Sequence, residues 1–477
     1  MKKQKLGIMN RLLLISIVLT ALILALTEDS WSQQNEELST YVITNVAVVD
    51  VEKGEVLPSQ TVIVKGDRIE KIAAEKVKVS DTAIVLEGDR LYLMPGLVDA
   101  HVHYLDPKIF GLLMVAHGVV LVRDMGNTTP QAILTREKLK KGELLGPEMV
   151  TTGRILDGVP PFVPPVSSGI PTPEKGREAV NKLAGAGVNQ IKVYSGLERD
   201  VFLAIVDEAK RKGLKTVGHV PETVYIEEAA SVGQKSCEHM FGFGKVIAKL
   251  LGEPVKLERG GMGTDVEYFF RQDEVDQKKL QNALIRIRDN GMAVCPTLVV
   301  FKHGAHLSEI FAGEYPMLEY VSPRVRNIWK MWEGAQQDPE KLGKIRGFMQ
   351  EFLKKLNKMG FSLLVGTDLL FPGLIAGYSL HEEMEMWQEA GIPQEVILRS
   401  ATLTPAEFVG LDKRLGSVKE GKTASLVLVR ANPLENIRNA EKIESLFLRG
   451  KYFSREDLDC LLKEVKKLCG KKGRDFL

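Results

Sequence analysis

Cysteine is scarce, with four in 477 residues, too few for the disulfide framework of a small secreted scaffold. Cys460 and Cys469 share one C-terminal segment. On a helix, nine positions separate them by roughly 13 Å, beyond the reach of a bridge. Cys237 and Cys295 fall in strand-like runs, where the expected role is that of a small buried apolar residue. No disulfide is predicted. An excess of one charge is lacking too: 64 Lys and Arg stand against 62 Asp and Glu, for a net charge of +2, which gives no ground for a nucleic-acid or strongly acidic partner. With 44% hydrophobic and 26% charged residues, the composition excludes bulk disorder and suits one large domain with a smaller one. No repeat of the solenoid kind is evident.

Long apolar runs are also missing. The longest, Leu12 to Leu26, is short for a membrane span. Lys2, Lys3, Lys5 and Arg11 precede it and Ser30-Trp31-Ser32 follows, with small residues at the two positions a signal peptidase reads. Residues 1–32 are therefore expected to be an export leader, and the protein periplasmic or secreted. The competing reading is an uncleaved N-terminal anchor. No Cys follows the run, so a lipoprotein anchor is unsupported.

What is present is a regular alternation of short apolar runs and helical stripes, the pattern of βα units on a parallel sheet. Eight runs read as strands: Leu91 to Val98, Val119 to Arg123, Glu148 to Gly153, Asn189 to Tyr194, Lys215 to His219, Gln234 to His239, Ala293 to Leu298, and Ser362 to Thr367. Eight suit a closed α/β barrel, whose chemistry gathers at strand ends. Six polar residues lie there: His101, His103, Lys192, His219, His239 and Asp368. His101 and His103, two apart, face the same way on a strand and can bind one cation through imidazole nitrogen. Taken singly, each has a plainer role. A strand-end His can be hydrogen-bonded in the core, Asp368 can cap a helix, and Lys192 can be half of a buried ion pair with Glu238. Their joint occurrence in barrel order points to a metal site.

These residues carry a resemblance. Met94-Pro-Gly-Leu-Val-Asp-Ala-His-Val-His103 resembles the first-strand signature of the amidohydrolase superfamily of metal-dependent hydrolases. Gly118-Val-Val-Leu-Val-Arg-Asp124, Ile191-Lys-Val-Tyr194, Gly218-His-Val-Pro221, Cys237-Glu-His239, Gly366-Thr-Asp368 and Ala401-Thr-Leu-Thr-Pro-Ala406 are similar to the branch of imidazolonepropionase-like enzymes and Xaa-Pro dipeptidases. The resemblance runs from about Tyr41 to Tyr452. It implies a (β/α)8 TIM-like barrel inserted into a small β-sandwich built from both chain ends, and two divalent ions. One would be held by His101, His103 and Asp368, the other by His219 and His239, with Lys192 carboxylated as a bridging ligand. Zinc suits the histidines, and iron, manganese or cobalt would fit the mixed donors. The second sandwich stretch, Ala424-Ser-Leu-Val427, departs from the family's Ala-Asp-Leu-Val.

The implied organisation is a leader at 1–32, β-sandwich at 33–95 and 411–453, hydrolase barrel at 96–410, and a helical tail at 454–477. In the tail, Ser454-Arg-Glu-Asp457 resembles a capping sequence, and Lys463, Lys466, Lys467, Lys471, Lys472 and Arg474 form a basic face, read as solvated, with an acidic membrane surface as the alternative. Two insertions occupy loop positions: residues 156–173, with six prolines, and Val299 to Asn357, rich in His and aromatic residues. The first either walls the pocket or is a surface excursion; the second is expected to be helical and lid-like.

Two metals sharing a water lower its pKa towards neutrality and polarise a carbonyl. Asp368 is then expected to serve as general base and, with the proton it has taken, as acid to the leaving nitrogen. Tyr194 projects to the same side as Lys192 and is a candidate donor to an oxyanion or a substrate carboxylate. The other histidines, His117, His303, His306 and His381, are read as packing or surface residues, with His303 and His306 the better candidates among them for substrate contact. The resulting expectation is a binuclear hydrolase of a small amide or dipeptide, dipeptidase or N-acyl amino acid hydrolase first. The alternatives are a cyclic-amide hydrolase, a mononuclear deaminase, and a metal-free structural or binding relative. No nucleic-acid partner is expected, nor an integral membrane role if the leader is cleaved. A homo-oligomer is left open.

Overall fold

The computed structural model describes residues 39–74, 77, 81–253, 268–335 and 338–470. The expected leader and Lys471, Lys472 and Arg474 of the basic tail lie outside these residues. The alternating valines and isoleucines near the start form β1 (Thr40–Asp50), β2 (Glu55–Lys65), β3 (Arg68–Ala73), β4 (Ile84–Glu87) and β5 (Tyr92–Pro95). They join β15 (Leu426–Val429), β16 (Ile443–Leu448) and β17 (Lys451–Phe453) in one eight-stranded sheet, ordered β17-β16-β15-β5-β1-β2-β3 with β4 on β1. Both chain ends thus meet as expected, but the described ladders form one sheet rather than two facing ones. Its own apolar core includes Ile43, Val46, Val62, Val64, Leu426 and Phe447.

The expected first barrel strand, Leu91 to Val98, is corrected. It is two elements, because Gly96 lets the chain leave the mixed sheet: a Cβ there would lie 2.3 Å from Val120 Cγ1. Leu97–Val102, β6, begins the parallel part. It continues with β7 (Val119–Asp124), β8 (Glu148–Thr151), β9 (Ile155–Asp157), β10 (Ser167–Gly169), β11 (Gln190–Val193), β12 (Lys215–Gly218), β13 (Ser236–Glu238) and β14 (Ala293–Cys295). These strands pair in three parallel pieces, β6-β7-β8, β10-β9-β11-β12 and β13-β14. Parallel bridges at Thr216–Gln234, Val294–Leu363 and Val102–Leu369 connect further points. The expected eighth strand, Ser362 to Thr367, is therefore held by bridges and single hydrogen bonds, such as Ala100 N to Val365 O at 3.0 Å, and is not a ladder of its own.

Helices alternate with these strands. Residues Arg199–Arg211 bury Val201, Phe202, Ile205, Val206 and Ala209, a 3.6-period stripe in which each large side chain contributes roughly 1.5–3 kcal/mol by leaving water. The long insertion is helical, with helices Val299–Gly304, Leu307–Ala312, Pro323–Trp329 and Pro339–Lys358. It leans on the loop that follows Asp368, where Trp332 and Phe371 lie 5.7 Å apart. The tail helix, Arg455–Gly470, starts at a reciprocal cap: Ser454 N donates to Asp457 Oδ2 (2.9 Å) and Asp457 N to Ser454 Oγ (3.2 Å). On its basic face, Lys466 is engaged by Glu319 at 3.3 Å and by the ring of Tyr320.

Candidate metal centre

His101 sits near the end of β6, and the segment 362–368 runs beside it so closely that only glycine fits at 366. A Cβ on Gly366 would lie 2.7 Å from both His101 N and Cys295 Sγ. Asp99 fastens the same junction, accepting from His101 N (3.2 Å), Thr367 N (3.0 Å) and Thr367 Oγ1 (2.7 Å). Burial raises its carboxyl to about 7, against the pull of those donors. Asp368 N donates to His101 O at 2.8 Å, which sets the Asp368 carboxylate over the histidine pair.

The six expected residues come together. Asp368 Oδ1 is 3.2 Å from His101 Nε2 and 3.3 Å from His103 Nε2, and its Oδ2 is 4.0 Å from His239 Nε2. Lys192 Nζ is 3.2 Å from His101 Nε2. The His219 and His239 rings are 4.9 Å apart, nearly perpendicular. His101, His103 and Asp368 bring three ligand atoms within 4.8 Å of one another.

Each imidazole is turned the same way. Nδ1 of His101 is 2.9 Å from Glu238 Oε2, that of His103 is 2.9 Å from Gly126 O, that of His219 is 2.8 Å from Ser195 Oγ, and that of His239 is 2.6 Å from Thr297 Oγ1. A carboxylate and a carbonyl only accept, so His101 and His103 carry a proton on Nδ1, and Nε2 is the ring nitrogen each turns to the site. The two hydroxyls allow the same tautomer. His219 Nε2 is buried and has no hydrogen-bond partner, a costly state unless something accepts its lone pair. Such outer oxygens are what fix ligating histidines.

The electrostatics agree. Burial, reinforced by Lys192 and neighbouring imidazoles, holds His101 and His219 well below the ordinary histidine value and lowers His239, so all three are neutral, as ligands must be. Burial brings Lys192 down to about 8, against the attraction of Asp368 and Glu238. The donor set, one carboxylate with four imidazoles, one of which has an orphan nitrogen, fits divalent cations. A second trio, His101, Glu238 and Cys295, fits less well: Glu238 is engaged by Arg123, Ser236 and His101, and burial keeps the Cys295 thiol protonated.

Backbone strain collects here as well. His239 (φ 60°), Thr297 (φ 49°) and Asp368 (φ 60°) occupy the left-handed region, at roughly 1–2 kcal/mol each for a residue with a Cβ.

The plainer alternative for Lys192, an ion pair with Glu238, is corrected. Lys192 does not pair with Glu238; that carboxylate takes both 2.9 Å bonds from Arg123 Nη2, in a fully buried pair. His303 Nε2 lies 3.0 Å from Glu382, with its Nδ1 buried and without a hydrogen-bond partner, and His306 Nδ1 lies 3.1 Å from Glu309. His381 packs as expected, its Nε2 3.0 Å from His117 O. Tyr194 stacks on His219 at 3.9 Å with 25° between planes, and burial with Asp368 nearby raises its phenol. Unforeseen were Arg123 and Glu238 as a pair, the orienting hydroxyls of Ser195 and Thr297, and Phe241, whose ring is 5.0 Å from His219 and 5.1 Å from His239. A charged residue inside each of two apolar runs was the available signal for the first pair.

With this geometry, the comparison with known proteins is decisive for the family. Residues 92–452 match the Amidohydrolase family, and the chain belongs to it. Among solved structures, a bottromycin amidohydrolase superposes with a TM-score of 0.71 at 25% identity, over 90% of this chain and 91% of that one. A Xaa-Pro dipeptidase with bound methionine in its active site gives 0.65 at 19% identity, over 87% of this chain and 100% of that one, a likeness of fold. An adenine deaminase of Staphylothermus marinus is 33% identical over 88 residues, 17% of this chain and only 14% of that protein.

Proposed function

We propose that the protein is an exported two-metal amidohydrolase that cleaves the C–N bond of a dipeptide or N-acyl amino acid, and that its parallel pieces are arcs of one (β/α)8 barrel. The observation that carries this reading is the common orientation of four imidazoles, each with Nδ1 tied to an oxygen, with Nε2 of His101, His103 and His239 within 4.0 Å of Asp368 and Nε2 of His219 buried without a hydrogen-bond partner. His101, His103 and Asp368 would hold one ion and His219 with His239 the other, with Lys192 bridging as its carbamate. When bound, such ions make a shared water more acidic and polarise a carbonyl.

The chain's own groups supply the rest. Asp368 takes a proton from water at its carboxylate and returns it to the leaving nitrogen, which cannot depart as an anion. Tyr194, kept protonated by burial, donates its O–H to the developing oxyanion or to a substrate carboxylate. The Lys192 amine, near 8 in its buried setting, is partly neutral at physiological pH and can add carbon dioxide.

The test is amine release by purified, metal-loaded protein across dipeptides and N-acyl amino acids. Release from a defined subset, lost in Asp368→Asn, is expected. Silence in a protein carrying two metals overturns the peptide reading in favour of cyclic amides. The short match to an adenine deaminase supports a second reading, a one-metal deaminase; a Lys192→Ala protein that keeps both its metal and its activity would favour it.

A further inference from the structure

The loop from Gly158 to Val166 exposes apolar surface: Val159 is 53% and Phe162 65% accessible. It is not free to fold away. Asp157 Oδ2 accepts from Phe162 N (2.7 Å), and its Oδ1 accepts from Gly158 N (2.8 Å) and from Gly196 N (3.0 Å), just beyond Tyr194. From the other side, Arg154 donates to Ser168 Oγ and Pro164 O, both at 2.9 Å. With six prolines between 156 and 173, little conformational entropy remains to be lost on binding. The backbone that carries this phenyl ring is thus held in place with the ring in water.

The ring leads to the metal site. Phe162 lies 6.1 Å from Tyr194, Tyr194 stacks on His219, and Phe241 is 5.0 Å from His219 on an edge. The three aromatic side chains mark one flank that begins in solvent and ends at the histidines. The nearby guanidinium of Arg154 is spent on the loop itself and offers no counter-charge to an acidic side chain.

We propose that Phe162, with Tyr194 and Phe241, forms a subsite for a bulky apolar or aromatic group of the substrate, adjacent to the amide that is cut. This assignment rests on the amide-hydrolase reading of the site, and deepens it. Phe162 is a specificity-determining residue here, acting on substrate affinity through its ring and not on the chemical step.

Binding is measured by calorimetry with the full, metal-loaded chain, using L-phenylalanine and L-alanine, which have no amide to cut, as probes. Wild type is expected to bind the phenylalanine probe about tenfold more tightly. Phe162→Ala is expected to reduce that preference to about threefold or less, and Phe162→Tyr to retain it. Equal affinities in wild type, or a preference untouched by Phe162→Ala, overturn the subsite. If no amide is hydrolysed and yet the preference depends on Phe162, the subsite stands and the amide-hydrolase reading falls.

Discussion

Glu238 and His101 are joined where no water reaches: Glu238 Oε2 lies 2.9 Å from His101 Nδ1, and both side chains have no accessible surface. Arg123 holds the same carboxylate from the opposite side through Nη2 and donates from Nε to Ala100 O, in the strand that carries His101. The chain of contacts Arg123–Glu238–His101 spans β7, β13 and β6, so it fixes both the tautomer of the histidine and the relative position of three strands. An unpaired carboxylate could not be kept at this depth, nor an unpaired guanidinium.

Replacing Glu238 by Gln keeps the shape but lets the amide present either N–H or C=O to Nδ1, and removes the charge that holds Arg123. The expected outcome is a 10- to 100-fold loss of divalent-metal affinity, read by chelator competition. Thermal melting in parallel reports the destabilisation from leaving Arg123 without its counter-charge, about 3–5 kcal/mol. Unchanged metal affinity in a folded variant would remove Glu238 from the support of the site.

Gly366→Ala tests the closeness of the segment before Asp368 to β6. Its Cβ would meet His101 N and Cys295 Sγ at 2.7 Å and His101 Cβ at 3.0 Å, and a backbone atom cannot step aside as a flexible side-chain tip can. Overpacking of this kind costs about 1–3 kcal/mol. A lowered midpoint in urea is expected, together with reduced metal retention, because the strain falls on the junction that sets Asp368 over His101. Wild-type stability and metal content would mean that the two segments separate without consequence.

How far the sequence discloses this molecule can be judged from these residues. His101, His103, Lys192, His219, His239 and Asp368 were legible because polar groups at the ends of apolar runs have few plain reasons to be there, and because their order matched a known signature. Arg123 and Glu238 satisfied the same criterion, but their partnership depends on a register between β7 and β13 that no local pattern encodes. Ser195 and Thr297 were invisible for a different reason: a hydroxyl beside a strand end is ordinary until the imidazole it faces is known. The break at Gly96 hid within a continuous apolar run, since Leu93 and Leu97 are equally apolar on either side of it. In the segment 362–367 the residues are strand-like, yet they meet their neighbours only through an isolated bridge and single hydrogen bonds.

Glu382 provides a pH-dependent test away from the metal site. Burial would raise its carboxyl, but His303 Nε2 at 3.0 Å and Lys302 Nζ at 2.7 Å outweigh burial and bring it from 4.5 to about 2. Ser379 Oγ donates to the same group at 3.0 Å. A carboxyl depressed in the folded state stabilises it fully above the unfolded value, and that contribution is lost as pH falls through the folded value. The window therefore runs from about 4.5 down to about 2, and the difference between the two values corresponds to about 3 kcal/mol. The gap in melting temperature between wild type and Glu382→Gln is expected to be widest above pH 5 and to narrow steadily towards pH 3. A gap that stays constant across that range would show that Glu382 is protonated alike in the folded and unfolded chain, and that its contacts with His303 and Lys302 act as neutral hydrogen bonds.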